Sequence, residues 1–341
     1  MSKERNICIT AIDGQTVFLI AELLLTNPDF KSKFSSITGL SLHPESPKCA
    51  SLAKLGAEII PHVPGRVREM VKVLKQSNVD TICLIPPTHQ EKHDITMELV
   101  EAAKKAGIKN VCLISSAGAD MADEKKQPRL REFIHIENTV MATKGDTKTE
   151  TGHSPVVIRA GFYMENLLLY GPQTKHDGII PIPIGLKHKF APIALGDVSL
   201  VTAHVLVGRG EHGFANMHRG QLIILTGPML TAGKELAECA HQALGESLEF
   251  DNISAAEAKR LLRQQSEADA SEHEYLLEYY SLVREGKTNY ISTLGFIAVT
   301  GQHPQQPLEW FKIYGDDFKK EKGGKEHQAH PAKKQKREKG E

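Results

Sequence analysis

Residues 6–25 constrain this chain more than any other stretch. They read NICITAIDGQTVFLIAELLL: the apolar run Ile7, Cys8 and Ile9, a polar turn from Ala11 to Thr16 that contains Asp13-Gly14, and an apolar run from Val17 to Leu25 whose only charge is Glu22. A short apolar run, a turn and a long apolar run predict a strand, a tight turn and a helix. Such a unit normally opens a doubly wound sheet. Its turn and the helix N-terminus after it then offer free backbone N–H groups to a pyrophosphate, unless the unit merely packs helix on sheet.

A phosphate-binding turn wants glycine in three roles: for the turn, for close approach of the phosphate, and for packing helix on strand. With the Gly-x-x-Gly-x-x-Gly spacing of extended short-chain dehydrogenases, the three positions fall on Ala11, Gly14 and Val17. Only the middle one is glycine. Val17 sets a branched side chain where the helix must approach the strand.

The alternation continues. Strands are predicted at residues 37–42, 57–60, 81–85, 110–114 and 156–159, and helices at 51–55, 67–74, 93–106 and 130–143. Short connections between them predict a Rossmann-like, doubly wound parallel sheet over residues 1–160. Pro86-Pro87-Thr88 ends the fourth strand at the carboxyl edge, where a ligand lies in such folds. Beyond it, a strand at 221–225 and helices at 233–244 and 255–263 predict a smaller α/β lobe over residues 161–318 that completes the sheet and shapes a pocket.

Several stretches resemble NmrA-like proteins, an atypical branch of the short-chain dehydrogenases. They are Leu52-x-x-Leu55-Gly56-Ala57-Glu58, Ala102-x-x-x-Ala-Gly107-Ile-Lys-x-Val, Ser115-Ser116-x-Gly118, Arg159-Ala-Gly-Phe-Tyr-Met-Glu-Asn166, Gly196-Asp197-Val, Leu225-Thr-Gly-Pro-x-Leu-Thr231 and Gly301-x-x-Pro304, in the family's order. The resemblance spans residues 6–318 and implies NADP or NAD over Ala11, Asp13, Gly14, Gln15 and Thr16. It also implies His43 near the adenosine end and Pro86, Pro87 and Ser115 toward the reacting end. The family's Arg after the second strand is matched by Leu42, and its Asp after the third by His62 or Val63.

Short-chain dehydrogenases donate a proton from a Tyr paired with a Lys four residues later, and no Tyr-x-x-x-Lys occurs in this chain. Aligning Ile136-Glu137-Asn138 with the family places Phe133 where a lysine would stand. His135 is the remaining group on that helix that titrates near neutrality, and Tyr163 is a phenol that the next segment presents toward the pocket. These two are the candidate catalytic residues. No metal-ligand spacing stands out among the sixteen histidines.

Net charge is balanced, 42 basic against 42 acidic residues, but nine Lys/Arg against four Asp/Glu fall in residues 319–341. This segment is expected to be a disordered basic tail. The cluster that opens at Lys333 and closes at Lys339 resembles a nuclear import signal read by a carrier. No apolar stretch reaches membrane-spanning length and no secretory signal opens the chain. Five scattered cysteines suit a reducing compartment, so a cytoplasmic protein with a nuclear alternative is expected. The acidic body argues against direct nucleic-acid binding. The degenerate motifs lead to the expectation of a weakly catalytic or non-catalytic module that senses a small-molecule ligand or binds a regulatory protein partner, in the manner of a transcriptional co-regulator. The alternative is an NAD(P)H-dependent oxidoreductase of a small carbonyl, quinone or aromatic substrate.

Overall fold

A computed structural model describes residues 5–142, 155–265 and 269–319. The tail cluster at residues 333–339 lies outside the described residues. The chain begins β1 (Arg5–Ile9), α1 (Gln15–Thr26), a short α2 (Pro28–Lys31), β2 (Phe34–Ser41), α3 (Pro47–Leu55), β3 (Glu58–Pro61) and α4 (Val67–Gln76). It continues β4 (Thr81–Leu84), α5 (Lys92–Ala106), β5 (Asn110–Ser116), α6 (Pro128–Met141) and β6 (Val156–Ala160).

Among the described residues, seven parallel strands pair in the order β3-β2-β1-β4-β5-β6-β8, with β8 at Leu222–Leu225. Order reverses between β1 and β4, so their connections leave to opposite faces and open a crevice beyond the strands' carboxyl ends. Ile7, Ile9, Cys83 and Ile158 pack into one apolar layer with α1, while Cys8, Ile82, Leu84 and Leu113 pack into another with α4, α5 and α6. Helices therefore cover both faces, as the strands' unbroken apolar runs require.

Gly39 of β2 is needed for close packing: a Cβ there would collide with the Ile12 side chain, which the turn after β1 folds into the core.

After β6 the chain forms α7 (Gly171–Asp177), β7 (Ile179–Pro181), α8 (Leu195–Val207), β8, α9 (Gly233–Leu244) and β9 (Glu249–Asp251). It then forms α10 (Ala255–Gln265), α11 (Ala270–Arg284), α12 (Leu294–Thr300) and α13 (Pro307–Ile313). β7 and β9 make a separate two-stranded parallel ladder. A second core around Phe162, Tyr280, Trp310 and Phe311 holds this lobe. Segments from it return to the main sheet, with α8 packed against α1 and α12 against α8 and β8. Glu165 accepts the Leu195 N–H at 2.9 Å and the Trp310 Nε1–H at 3.0 Å, while Asp197 accepts the Gln305 N–H at 2.7 Å. These two carboxylates, prominent in the sequence landmarks, clasp the lobe's segments together.

Among the described residues, no helix is long and apolar enough to cross a membrane, and no group of His, Cys, Asp and Glu is placed to hold a metal. Four cysteines are free and buried, and Cys239 is free and half-buried.

Candidate active site

The crevice is built from the end of β1 outward. Thr10 is buried, and its Oγ1 accepts the Ile85 N–H at 2.8 Å and donates to the Ile85 carbonyl at 3.2 Å. This exchange fixes the start of the Pro86-Pro87-Thr88 segment beside the β1–α1 turn. Ala11 adopts φ +50°, the left-handed region that glycine enters freely, so the turn keeps the shape of its motif although the glycine is missing. The Gly14 N–H closes the turn on the Ala11 carbonyl at 2.9 Å.

No side chain caps the start of α1, which leaves its first N–H groups for a ligand or solvent. They face a hollow of about 220 Å³ lined by Gly14, Gln15, Thr16, Pro87, Asn166 and Glu272, among others. An uncapped helix N-terminus opening into a cavity fits a dinucleotide pyrophosphate. Val17 is among the residues that border this hollow, at the position where the motif has its third glycine. The side chain is 1% exposed and sunk in the core beneath α1.

A second hollow of about 140 Å³ shares Thr16, Pro86, Pro87, Thr88, Tyr163 and Glu272 with the first and extends toward β5. Its walls include Lys92, Ser116, Phe133 and Tyr275. Lys92 is the first residue of α5 and is 6% exposed. Its Nζ donates to the Arg129 carbonyl at 2.9 Å, stands 3.6 Å from Glu132 Oε2, and lies 4.5 Å and 5.3 Å from the ring centroids of Phe133 and Tyr275. Burial pulls its pKa down to about 8, against the pull of Glu132 and Glu278. At neutral pH the group is therefore a cation close to releasing its proton.

Tyr275, on α11, shares a hydrogen bond of 2.9 Å with Ser116 Oγ at the end of β5, and burial pushes its phenol up to about 12. The Tyr163 phenol is also raised by burial, with Thr16 as its hydrogen-bond partner. Two phenols, a hydroxyl and an ammonium thus converge on one apolar wall. Glu272 is likewise raised by burial, opposed by the charge of Lys48 at the start of α3.

Ala11, Gly14, Gln15, Thr16, Pro86, Pro87 and Tyr163 all line the crevice, as the sequence suggested. Ser115 borders it too, but its hydroxyl donates to Glu137 Oε1. Glu137 in turn forms a two-pronged buried pair with Arg159 at 2.8 and 2.7 Å, and Asp120 takes the outer guanidinium nitrogen at 3.1 Å. Ser115 is therefore engaged in holding β5, β6 and α6 together. Asp13 and His43 are not among the residues lining either hollow: Asp13 is half-buried and accepts the Ser41 hydroxyl at 2.7 Å, and His43 is exposed beyond β2.

His135 requires a correction. It is exposed on the outer side of α6, its ring 6.0 Å from that of His93, and it does not line the crevice. Phe133 borders the crevice and Glu137, four residues on, is buried beside it. A residue two positions from Phe133 is turned roughly 200° about the helix axis, so His135 faces away. Lys92 and Tyr275 went unrecognised because no local spacing links α5 to α11; a lone lysine beside the Pro-rich stop of β4 was the only available signal.

A family model described as the NmrA-like family matches residues 25–295. An NAD(P)H azoreductase of Xenophilus azovorans is 26% identical over 203 residues, 58% of this chain and 65% of that protein. Prestalk A differentiation protein A of Dictyostelium discoideum is 26% identical over 209 residues, 60% of each chain. The matched region spans less than two thirds of either relative. Among solved structures, triphenylmethane reductase of Citrobacter sp. superposes with TM-score 0.72 at 18% identity, covering 90% of this chain and 98% of that one. An NADPH-dependent quinone oxidoreductase of Escherichia coli, solved with NADPH, gives TM-score 0.71 at 21% identity over 91% and 99%. The fold is thus shared with these two reductases over 90% and 91% of this chain.

Proposed function

The chain belongs to the NmrA-like family, and on that premise we propose that it is an NAD(P)H-dependent reductase of a small, flat electrophile of the quinone, azo or carbonyl class. The observation that carries this reading is the ammonium of Lys92, buried against the rings of Phe133 and Tyr275 on the wall of the crevice. The expectation of a non-catalytic module rested on the missing glycines at Ala11 and Val17 and on the missing Tyr and Lys of the catalytic helix. Lys92 supplies a cation from α5, which answers the missing lysine and weakens that part of the argument. The azoreductase and quinone-reductase relatives lend further support.

The backbone N–H groups of Gln15 and Thr16 would hold the pyrophosphate, and Pro86, Pro87 and Thr88 would border the reacting end. A bound dihydronicotinamide supplies a hydride. A quinone, azo or carbonyl substrate that accepts a hydride becomes an anion at oxygen or nitrogen, and one proton completes the hydroquinone, hydrazine or alcohol. Lys92 holds that proton at a pKa of about 8, near the value at which a general acid works well in neutral solution. Tyr275 and Tyr163 orient the accepting atom through their hydroxyls, and Ser116 fixes the direction of Tyr275. The rings of Phe133 and Tyr275 suit a flat substrate.

The test is oxidation of NADH and NADPH by the purified chain with a benzoquinone, a naphthoquinone, an azo dye and an aryl aldehyde. Turnover with one or more of these acceptors, lost in Lys92→Met, is expected. No oxidation with any of them would overturn the reading.

A further inference from the structure

Resting on the reductase reading above, we infer that the crevice takes NAD(H) in preference to NADP(H), and that Asp13 is the residue that discriminates between them. Dinucleotide sites choose at the carboxyl end of the second strand. A carboxylate there accepts the ribose 2′-hydroxyl, and an arginine there accommodates a 2′-phosphate. In this chain β2 ends at Ser41, followed by Leu42 and His43, so the strand itself supplies neither group.

The carboxylate arrives from the neighbouring turn. Asp13 lies between Ala11 and Gly14, and Ser41 Oγ donates to its Oδ1 at 2.7 Å. Ser41 Oγ also accepts the His43 N–H at 3.0 Å, so the hydroxyl is fixed and its proton is committed to Asp13. One carboxylate oxygen is thereby anchored over the end of β2, and the remaining acceptor positions are left for a vicinal diol. A 2′-phosphate brought to the same place would bring about two negative charges against the Asp13 carboxylate, an arrangement that costs free energy at any dielectric.

His43 is exposed beyond the strand, with its backbone turned onto Ser41. Lys48, at the start of α3, is close enough to the crevice for its charge to lower the Glu272 pKa. The Asp13 carboxylate held at the end of β2 suits a neutral ribose better than a 2′-phosphate.

Titration of the full chain with NADH and NADPH, followed by nicotinamide fluorescence and calorimetry, tests this without any turnover. NADH is expected to bind about tenfold or more tighter than NADPH. In Asp13→Ser the preference should collapse to within about threefold, mainly through tighter NADPH binding. Asp13→Asn keeps an acceptor for the Ser41 hydroxyl while removing the charge. It should shift the ratio in the same direction, which separates charge from any loss of turn structure. Equal or tighter binding of NADPH by the native chain would overturn the inference and leave the reductase reading standing. So would a preference unchanged in both variants. If neither dinucleotide binds at millimolar concentration, the reductase reading falls, and the inference with it.

Discussion

The Lys92 ammonium stands 4.5 Å from the ring centroid of Phe133, so the charge that α6 lacks at position 133 is delivered beside that position from α5. A lysine at residue 133 and a phenylalanine there that receives a lysine on its face are different sequences with a related electrostatic result. The exchange changes the environment of the cation: Lys92 is held against two rings and a backbone carbonyl and titrates well below an ordinary lysine.

Replacing Lys92 with methionine keeps the volume and removes the charge. Turnover is expected to fall by about 10²-fold or more, while the dissociation constant for the dinucleotide stays within about twofold, since Lys92 is placed at the substrate end. Steady-state kinetics and a binding titration on the same preparation separate the two. A loss confined to dinucleotide binding would remove Lys92 from the chemistry.

Stability should carry the mark of this buried cation. The unfolded lysine titrates near 10.5 and the folded one at about 8, so between those values the unfolded chain holds more protons and folding becomes more favourable as pH rises. The penalty is fully present below about pH 8 and amounts to about 3 kcal/mol. Lys92→Met should therefore be more stable than the native chain at pH 7, with the difference shrinking toward pH 10 in urea denaturation. A constant difference across that range would rule out a depressed lysine.

Tyr275→Phe removes the hydroxyl that bonds Ser116 and leaves the ring beneath Lys92. We expect turnover to drop by roughly 10- to 100-fold, with thermal unfolding little changed. Ser116→Ala should give a smaller loss, because the phenol keeps its position but loses its direction. Full activity in Tyr275→Phe would leave Tyr163 as the sole orienting phenol.

His135→Ala should leave turnover unchanged and stability within about 0.5 kcal/mol, as for other exposed positions. Loss of activity in this variant would restore the imidazole as the acid and contradict the placement of His135 on the outer face of α6.

Glu137→Gln takes the charge and one of the two acceptor oxygens from the partner of the buried Arg159 guanidinium and leaves Asp120 as its carboxylate. A cost of about 3 to 5 kcal/mol is expected, read by chemical denaturation, because an under-compensated buried cation remains. An unchanged unfolding midpoint would show that Asp120 alone suffices.

The sheet was legible because its signals are local. β4 is a short apolar run stopped by Pro86-Pro87, and α3 and α5 each close on a glycine, Gly56 and Gly107. The turn after β1 was legible only in part. Gly14 marks it, yet the left-handed backbone of Ala11 and the burial of Val17 depend on how the turn settles against β2, where Gly39 makes room for Ile12. The reacting end was not legible at all. Lys92 and Tyr275 meet through the packing of α11 on α6 and of α6 on α5, which is tertiary information. His135 drew attention because its chemistry is suitable and its position on the chain is right, while helix geometry turns it outward.

The most direct measurement is kcat against pH, from 6 to 10, for the native chain and for Lys92→Met with the best quinone or azo acceptor. The account predicts a native rate that is level at low pH and falls as pH passes about 8, where Lys92 loses its proton, and a low rate without that limb in the variant. A native profile that stays level through pH 10, or one that Lys92→Met reproduces, would contradict it.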